Sequence, residues 1–118
     1  MNSPATLKAE TAALCLNIEQ LEEKLRGKTI AFDDAQRLWS TAYRPKARIL
    51  AEAMLYYVPS NDQRISVEFE SGGRRDIKSD AVNYIEEPLS EELASIHLST
   101  MTKQLRDLTS YLPTEATA

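Results

Sequence analysis

The chain has 118 residues, a formal net charge of −4, 42% hydrophobic residues and 27% charged residues. This composition supplies one hydrophobic core and is too apolar for a disordered chain. One Cys excludes an internal disulfide, and one Cys with one His excludes a zinc site of the Cys/His type. No apolar run reaches the length of a membrane span and no signal peptide is visible, so we expect a cytoplasmic protein. Residues 1–118 are predicted to form a single domain, with frayed ends at 1–3 and 113–118.

Residues 4–26 are predicted to form a long helix. Ser3 is a suitable N-cap, Pro4 suits the first helical position, and Gly27 suits the C-cap. Apolar side chains recur every three or four residues along one face: Leu7, Leu14, Ile18, Leu21 and Leu25. The same spacing fits coiled-coil heptads, so this stripe faces either the core of the chain or a dimer seam.

Two short helices are predicted next. The first covers about 34–43, after the N-cap Asp33, and places Leu38 and Trp39 on one face. Because Arg44 precedes a proline, we expect a break there and a second helix that begins at Pro45. The core-facing residues predicted for the second helix are Ile49, Leu50, Ala53, Met54 and Tyr57.

A β-hairpin is predicted over 65–70 and 74–78. Residues 65–70 alternate apolar and polar side chains, and Gly72 and Gly73 favour a tight turn. A three-residue loop would place Glu70 opposite Arg74 and Val67 opposite Ile77.

Residues 90–112 are predicted to form the last helix, capped by Ser90. The expected fold class is therefore α+β, mainly α, with two long terminal helices, two short central helices and one antiparallel β-hairpin. The two long helices pair either with each other or with their copies in a dimer. The expected core consists of Leu14, Ile18, Leu21, Leu38, Trp39, Leu50, Met54, Val67, Phe69, Ile77, Leu98, Met101, Leu105 and Leu108.

The residues that could carry catalysis do not form a recognisable set. His97 is the only histidine, Cys15 has acidic rather than basic neighbours, and two of the three acidic pairs lie at predicted helix starts. No phosphate-binding loop, nucleophile elbow or dinucleotide fingerprint occurs. We expect no catalytic residue, metal, cofactor or small-molecule substrate, and hence no enzyme.

Two functions remain open. The first is a small non-enzymatic protein-binding or regulatory module (an inhibitor, adaptor or assembly factor) that acts through helical surfaces. The second follows from the order of the elements, which is similar to that of winged-helix domains and implies a DNA-binding regulator that uses residues 44–50 and the 70–76 hairpin. The segment 24–48 carries seven basic and two acidic residues, and it is either open to a polyanion or neutralised by its acidic flanks.

The candidate contact residues are the same under both hypotheses, because aromatic and basic side chains are typical of protein and DNA interfaces alike. They are Arg37, Arg44, Lys46, Arg48, Arg74, Arg75, Trp39 and Tyr43. We also expect a homodimer, because the long apolar stripes need more cover than the short helices give. The predicted dimer interface consists of Leu7, Leu14, Ile18, Leu25, Leu108 and Leu112.

Overall fold

The N-terminal helix α1, Pro4–Arg26, begins and ends where the sequence predicts. The Ser3 hydroxyl accepts a hydrogen bond of 3.1 Å from the Thr6 amide, and the Gly27 amide donates to the Glu23 carbonyl at 2.8 Å. Both bonds satisfy backbone groups that a helix end leaves without a partner. The structure is a computed structural model, and the residues it describes are 3–58, 66–68, 74–76 and 89–114.

The two short helices predicted for the middle of the chain form one continuous helix. Helix α2 (Phe32–Leu38), a π-helical turn (Trp39–Tyr43) and helix α3 (Arg44–Leu55) follow one another without a break. We call this run, residues 32–55, the central helix. The predicted break at Pro45 is therefore wrong.

The π turn explains how the helix continues through Pro45. An α-helical residue at this position would donate its amide to the carbonyl four residues earlier, but proline has no N–H and its ring collides with that carbonyl. Here the Arg44 amide bonds to the Trp39 carbonyl, five residues earlier, and the wider turn gives the ring room. The Ser40 and Thr41 hydroxyls donate to the carbonyls four residues before them, both at 2.7 Å. These bonds give side-chain donors to the Gln36 and Arg37 carbonyls, in the part of α2 that leads into the π turn.

The extra residue of the π turn also aligns the two halves of the central helix. In a regular α-helix each residue turns about 100°, so the residues buried after the turn would lie about a quarter turn away from those buried before it. The π turn removes this offset, and one side of the helix is buried throughout. The buried residues are Ala35 and Trp39 before or at the turn, and Ala47, Leu50, Ala51 and Met54 after it.

The last helix, α4, spans Ala94–Thr109 and begins four residues later than predicted. The Ser90 hydroxyl does accept a hydrogen bond of 3.2 Å from the Leu93 amide, but residues 91–93 form a turn. Leu93 has a non-helical backbone, with φ −112° and ψ 4°. Ser90 therefore caps a turn before the helix rather than the helix itself.

Helices α1 and α4 pack against each other in antiparallel orientation. Glu22, near the end of α1, lies beside Ser95 at the start of α4, and Cys15 lies beside Thr102 further along. The central helix packs on both of them through α3. Of the two pairings that the sequence left open for the long helices, the structure shows the one within the chain.

The buried core contains most of the residues expected there. Leu38 is only half-buried, and Val67, Phe69 and Ile77 lie outside the part of the chain whose burial is described. The confirmed core residues are Leu14, Ile18, Leu21, Trp39, Leu50, Met54, Leu98, Met101, Leu105 and Leu108.

The predicted α+β class is wrong, because the described residues form a mainly helical protein whose packed body contains no β-hairpin. Two three-residue segments, β1 (Ser66–Glu68) and β2 (Arg74–Asp76), run antiparallel but are too short to form a layer of the fold. The predicted register is also wrong: Val67 lies opposite Arg75, a shift of two residues. The remainder of 65–70 and 74–78 lies outside the described residues.

Within the described ranges, no helix is both long enough and apolar enough to cross a membrane.

Candidate protein-binding surface

The stripe predicted to form a dimer interface is covered by the chain's own helices. Leu25 is half-buried against the core, and the other five residues are buried inside it: Leu7, Leu14, Ile18, Leu108 and Leu112. The sequence suggested that this stripe would overhang a small body. It does not, because α1, α3 and α4 pack on one another and enclose it. A homodimer through this stripe has no exposed surface to use.

The two aromatic candidates are core residues. Trp39 has 0% of its surface exposed and meets the His97 ring edge-to-face, with 5.8 Å between ring centroids and 73° between planes. Tyr43 is half-buried and packs against the core. Because Trp39 lies on the buried side of the central helix, one turn after the buried Ala35, this side chain stabilises the helix packing and is not available to a partner.

Several of the basic residues in 24–48 pair with acids on the same helix. Arg26 contacts Glu22 at 3.0 Å, Arg37 contacts Asp34 at 3.6 Å, and Arg48 contacts Glu52 at 3.2 Å. These pairs neutralise part of the basic segment locally. Two of the three acids, Glu22 and Glu52, belong to the acidic flanks of the segment, and each acid lies three or four residues from its partner.

The remaining basic candidates do not converge on one face of the central helix. Arg44 and Lys46 are two residues apart, which separates them by about 200° around the helix axis. Arg44 is half-buried and Lys46 is exposed. Arg74 and Arg75 lie in β2. Because the central helix is also unbroken, the two-helix arrangement on which the winged-helix resemblance rested is absent from the described residues, and the geometry does not favour DNA recognition.

The candidate contact residues predicted from the sequence do not include the most exposed apolar side chains of α3 and its C-cap. Ile49 is 62% exposed, and Tyr56, the C-cap residue directly after α3, keeps a helical backbone and is 81% exposed. With Pro45 and Glu52 they follow a 4–3–4 spacing on the side opposite the buried residues of α3. We call this surface, formed by Pro45, Arg48, Ile49, Glu52 and Tyr56, the outer face.

The prediction that Ile49 faces the core is wrong, although the sequence held a signal against it. The residues at 47, 50, 51 and 54 already form a complete helical stripe of apolar side chains, and those at 45, 49 and 56 form a second stripe about half a turn away. A helix with two such stripes can bury one of them in its own core and still expose the other to solvent. Two residues of the first stripe, Ala47 and Ala51, are alanines, and their small side chains contribute little to the apolar pattern of the sequence.

Two contacts fix the geometry of the outer face. The Tyr56 ring meets the Tyr57 ring edge-to-face, with centroids 5.3 Å apart and planes at 85°. Tyr57 is half-buried against the core, so the exposed ring next to it is held by a side chain that is itself anchored. Arg48 Nε lies 3.2 Å from Glu52 Oε1, which balances the charge beside the apolar residues. The outer face is therefore apolar, partly ordered and without net charge.

A groove of about 550 Å³ runs along the contact between α1 and α4, and three of the four charged side chains that line it, Glu19, Glu22 and Arg26, are paired. Arg106 donates two hydrogen bonds to Glu19, at 2.8 and 3.0 Å, across the helix contact. Glu22 accepts from Arg26 and from the Ser95 hydroxyl. These hydrogen bonds hold the pKa of both carboxyl groups below the usual value. The groove joins two helices, and nothing in it points to a ligand.

The two residues considered for catalysis are buried. Burial raises the pKa of the Cys15 thiol, whose sulfur lies 3.8 Å from the Thr102 carbonyl oxygen. A thiol in this state is a small apolar core group and a poor nucleophile. His97 is buried against Trp39. In the described residues, no group of three or more His, Cys, Asp or Glu side chains could hold a metal ion.

No protein-family model matches the chain, and comparison with curated proteins and with solved structures yields no match either. The function proposed below therefore depends on the geometry alone.

Proposed function

We propose that the chain is a non-enzymatic protein-binding module, such as an inhibitor, adaptor or assembly factor, and that it contacts its partner through the outer face. The observation that carries the proposal is the exposure of Ile49, on α3, and of Tyr56, at its C-cap, on the same side. A helix with an apolar stripe towards its own core and a second towards solvent is suited to lie in or against a partner's surface.

The residue types on the outer face suit such a contact. Complete burial of an isoleucine side chain contributes about 1.5–3 kcal/mol, and a tyrosine combines a large apolar ring with a hydroxyl that can stay hydrated at the edge of a contact. Because Tyr57 already restricts the Tyr56 ring, less conformational entropy is lost on binding. Arg48 and Glu52 would form the polar rim.

Site-specific photocrosslinking in cells that express the chain tests the proposal. A photoreactive phenylalanine analogue replaces Ile49 in one variant and Ile96 in the other. Ile96 is a matched control, because it is also an isoleucine with 62% of its surface exposed but lies on α4. We expect a discrete covalent protein adduct from position 49 and none from position 96.

Two results would count against this function. Equal labelling at both positions would show that exposure alone produces the adducts, and the absence of an adduct at position 49 would show that the outer face meets no protein. The cytoplasmic location expected from the sequence stays a prediction. Fractionation of the same cells, followed by detection of the chain, would test it.

A further inference from the structure

We infer that the partner of the outer face is a second copy of this chain, and that the two central helices pair antiparallel about a twofold axis. This inference rests on the proposed function and names its partner. It replaces the predicted dimer interface, of which five residues are buried within the chain and Leu25 is half-buried.

The charges of the outer face are self-complementary. Arg48 and Glu52 lie one turn apart, beside the apolar side chains, and carry opposite charges. A twofold axis makes each copy present the same surface in reverse order, so a surface that is to pair with itself must meet an opposite charge wherever it carries one. An outer face with one base and one acid meets this condition, and it carries none of the net charge of −4.

The heights of the outer-face residues along the helix axis also fit an antiparallel pair. With the axis at the height of residues 50 and 51, Pro45 of one copy lies at the height of Tyr56 of the other. Arg48 and the other copy's Glu52 then differ in height by one residue, about 1.5 Å, which long side chains bridge easily. Ile49 lies near the axis in both copies. The two intrahelical Arg48–Glu52 pairs, one in each copy, are thus exchanged for two such pairs across the contact, while the apolar side chains cover one another.

The outer face is small, which determines how the dimer must be measured. Five residues on each copy bury less surface than a standard interface of about 800 Å² per partner, so we expect weak association. Sedimentation equilibrium of the full chain over about a hundredfold range of concentration, up to the solubility limit, will then show a concentration-dependent mass.

Acidic substitutions at two exposed isoleucines locate the contact. Ile49→Glu places two carboxylates near the twofold axis and is expected to weaken self-association about tenfold or more. Ile96→Glu makes the same change at the same exposure on α4 and is expected to leave the association constant unchanged. Circular dichroism confirms that both variants keep their helical content, since neither side chain is part of the core.

A charge reversal then tests whether the contact is self-complementary. Arg48→Glu alone brings together four carboxylates at the contact, and we expect it to weaken the dimer. The double variant Arg48→Glu/Glu52→Arg exchanges the two charges and restores opposite pairs in both copies, so it should associate like the original chain. A monomeric original chain at every concentration, equal effects of Ile49→Glu and Ile96→Glu, or a double variant as weak as Arg48→Glu would overturn the inference.

The two proposals fail in different ways. A chain that stays monomeric, yet forms an adduct with a different protein from position 49, refutes the homodimer and leaves the protein-binding function intact. A chain without an adduct at position 49 refutes the function as well. Solvent protection of Ile49 in a monomeric sample, measured by hydroxyl-radical footprinting, would show that the chain covers its own outer face and would also overturn the inference.

Discussion

Leu105 provides a direct test of how the last helix is packed. Its side chain is 1% exposed, on the side of α4 that faces the core. Leu105→Ala removes three carbon atoms, and at about 0.8 kcal/mol for each methylene the lost burial alone amounts to about 2.4 kcal/mol. The cavity that remains adds to this, so we expect the free energy of unfolding to fall by about 2.5–5 kcal/mol.

A loss of that size is a large part of the stability of one domain, which is typically about 5–15 kcal/mol. Urea denaturation followed by circular dichroism measures the loss, and a thermal melt should show the midpoint falling by about 10 °C or more. Both samples must be compared at one protein concentration, because self-association would add to the apparent stability.

Ile96→Ala is the matched control for this measurement, because Ile96 lies on the same helix and is 62% exposed. We expect it to change the free energy of unfolding by less than about 0.5 kcal/mol, as for most surface substitutions. A loss below about 1 kcal/mol for Leu105→Ala, or equal losses for both variants, would contradict the packing of α4 described above.

Two further predictions concern titratable groups. Since burial raises the pKa of the Cys15 thiol, the native protein should react very slowly with a thiolate-selective reagent at neutral pH, and the rate should rise with urea as the chain unfolds; fast labelling without urea would contradict this. The hydrogen bonds from Arg106 depress the folded-state pKa of Glu19, so its contribution to stability is complete above the unfolded pKa of about 4.3 and is lost as the pH falls through the lower folded value. Glu19→Gln should therefore make stability depend less on pH below about 4.3, and an unchanged acid limb in pH-dependent denaturation would show that this pair is not formed in solution.

The terminal helices could be predicted because local signals and the apolar period agreed there. Ser3, Pro4 and Gly27 mark the ends of α1 whatever the rest of the chain does. The last helix was placed less accurately, because Ser90 has the same cap chemistry before a turn as before a helix. Local chemistry thus identifies a capping residue but does not say how long the structure that follows will be.

The central helix shows why a proline is an ambiguous signal. Pro45 forbids one particular hydrogen bond, and a chain can respond either by ending the helix or by widening one turn. Which response is favoured depends on whether the residues on both sides need to reach the same core. Trp39 and Met54 both do, and that is a property of the folded chain rather than of the local sequence.

The candidate site was mispredicted for a related reason. A stripe of leucines shows that a helix has an apolar side, but it does not say what covers that side. Leu7 and Leu112 were predicted to face a second copy, and α1 and α4 instead enclose them within the chain. Small residues such as Ala47 and Ala51 contribute little to a hydrophobicity pattern, yet they let α3 approach closely and leave Ile49 outside.

The π turn has a consequence for how the length of this chain can change. It behaves as a one-residue insertion that has been absorbed between two correctly phased α-helical segments. Deleting one residue from positions 40–44 would restore an ordinary helical ladder and would leave the buried residues of α2 and α3 on one side, because the deletion removes the one extra residue that the π turn absorbs. The proline that follows Arg44 would then stand in a regular turn, where its ring collides with the carbonyl four residues before it, so a variant shortened by one residue should also carry a residue with an amide N–H in place of Pro45.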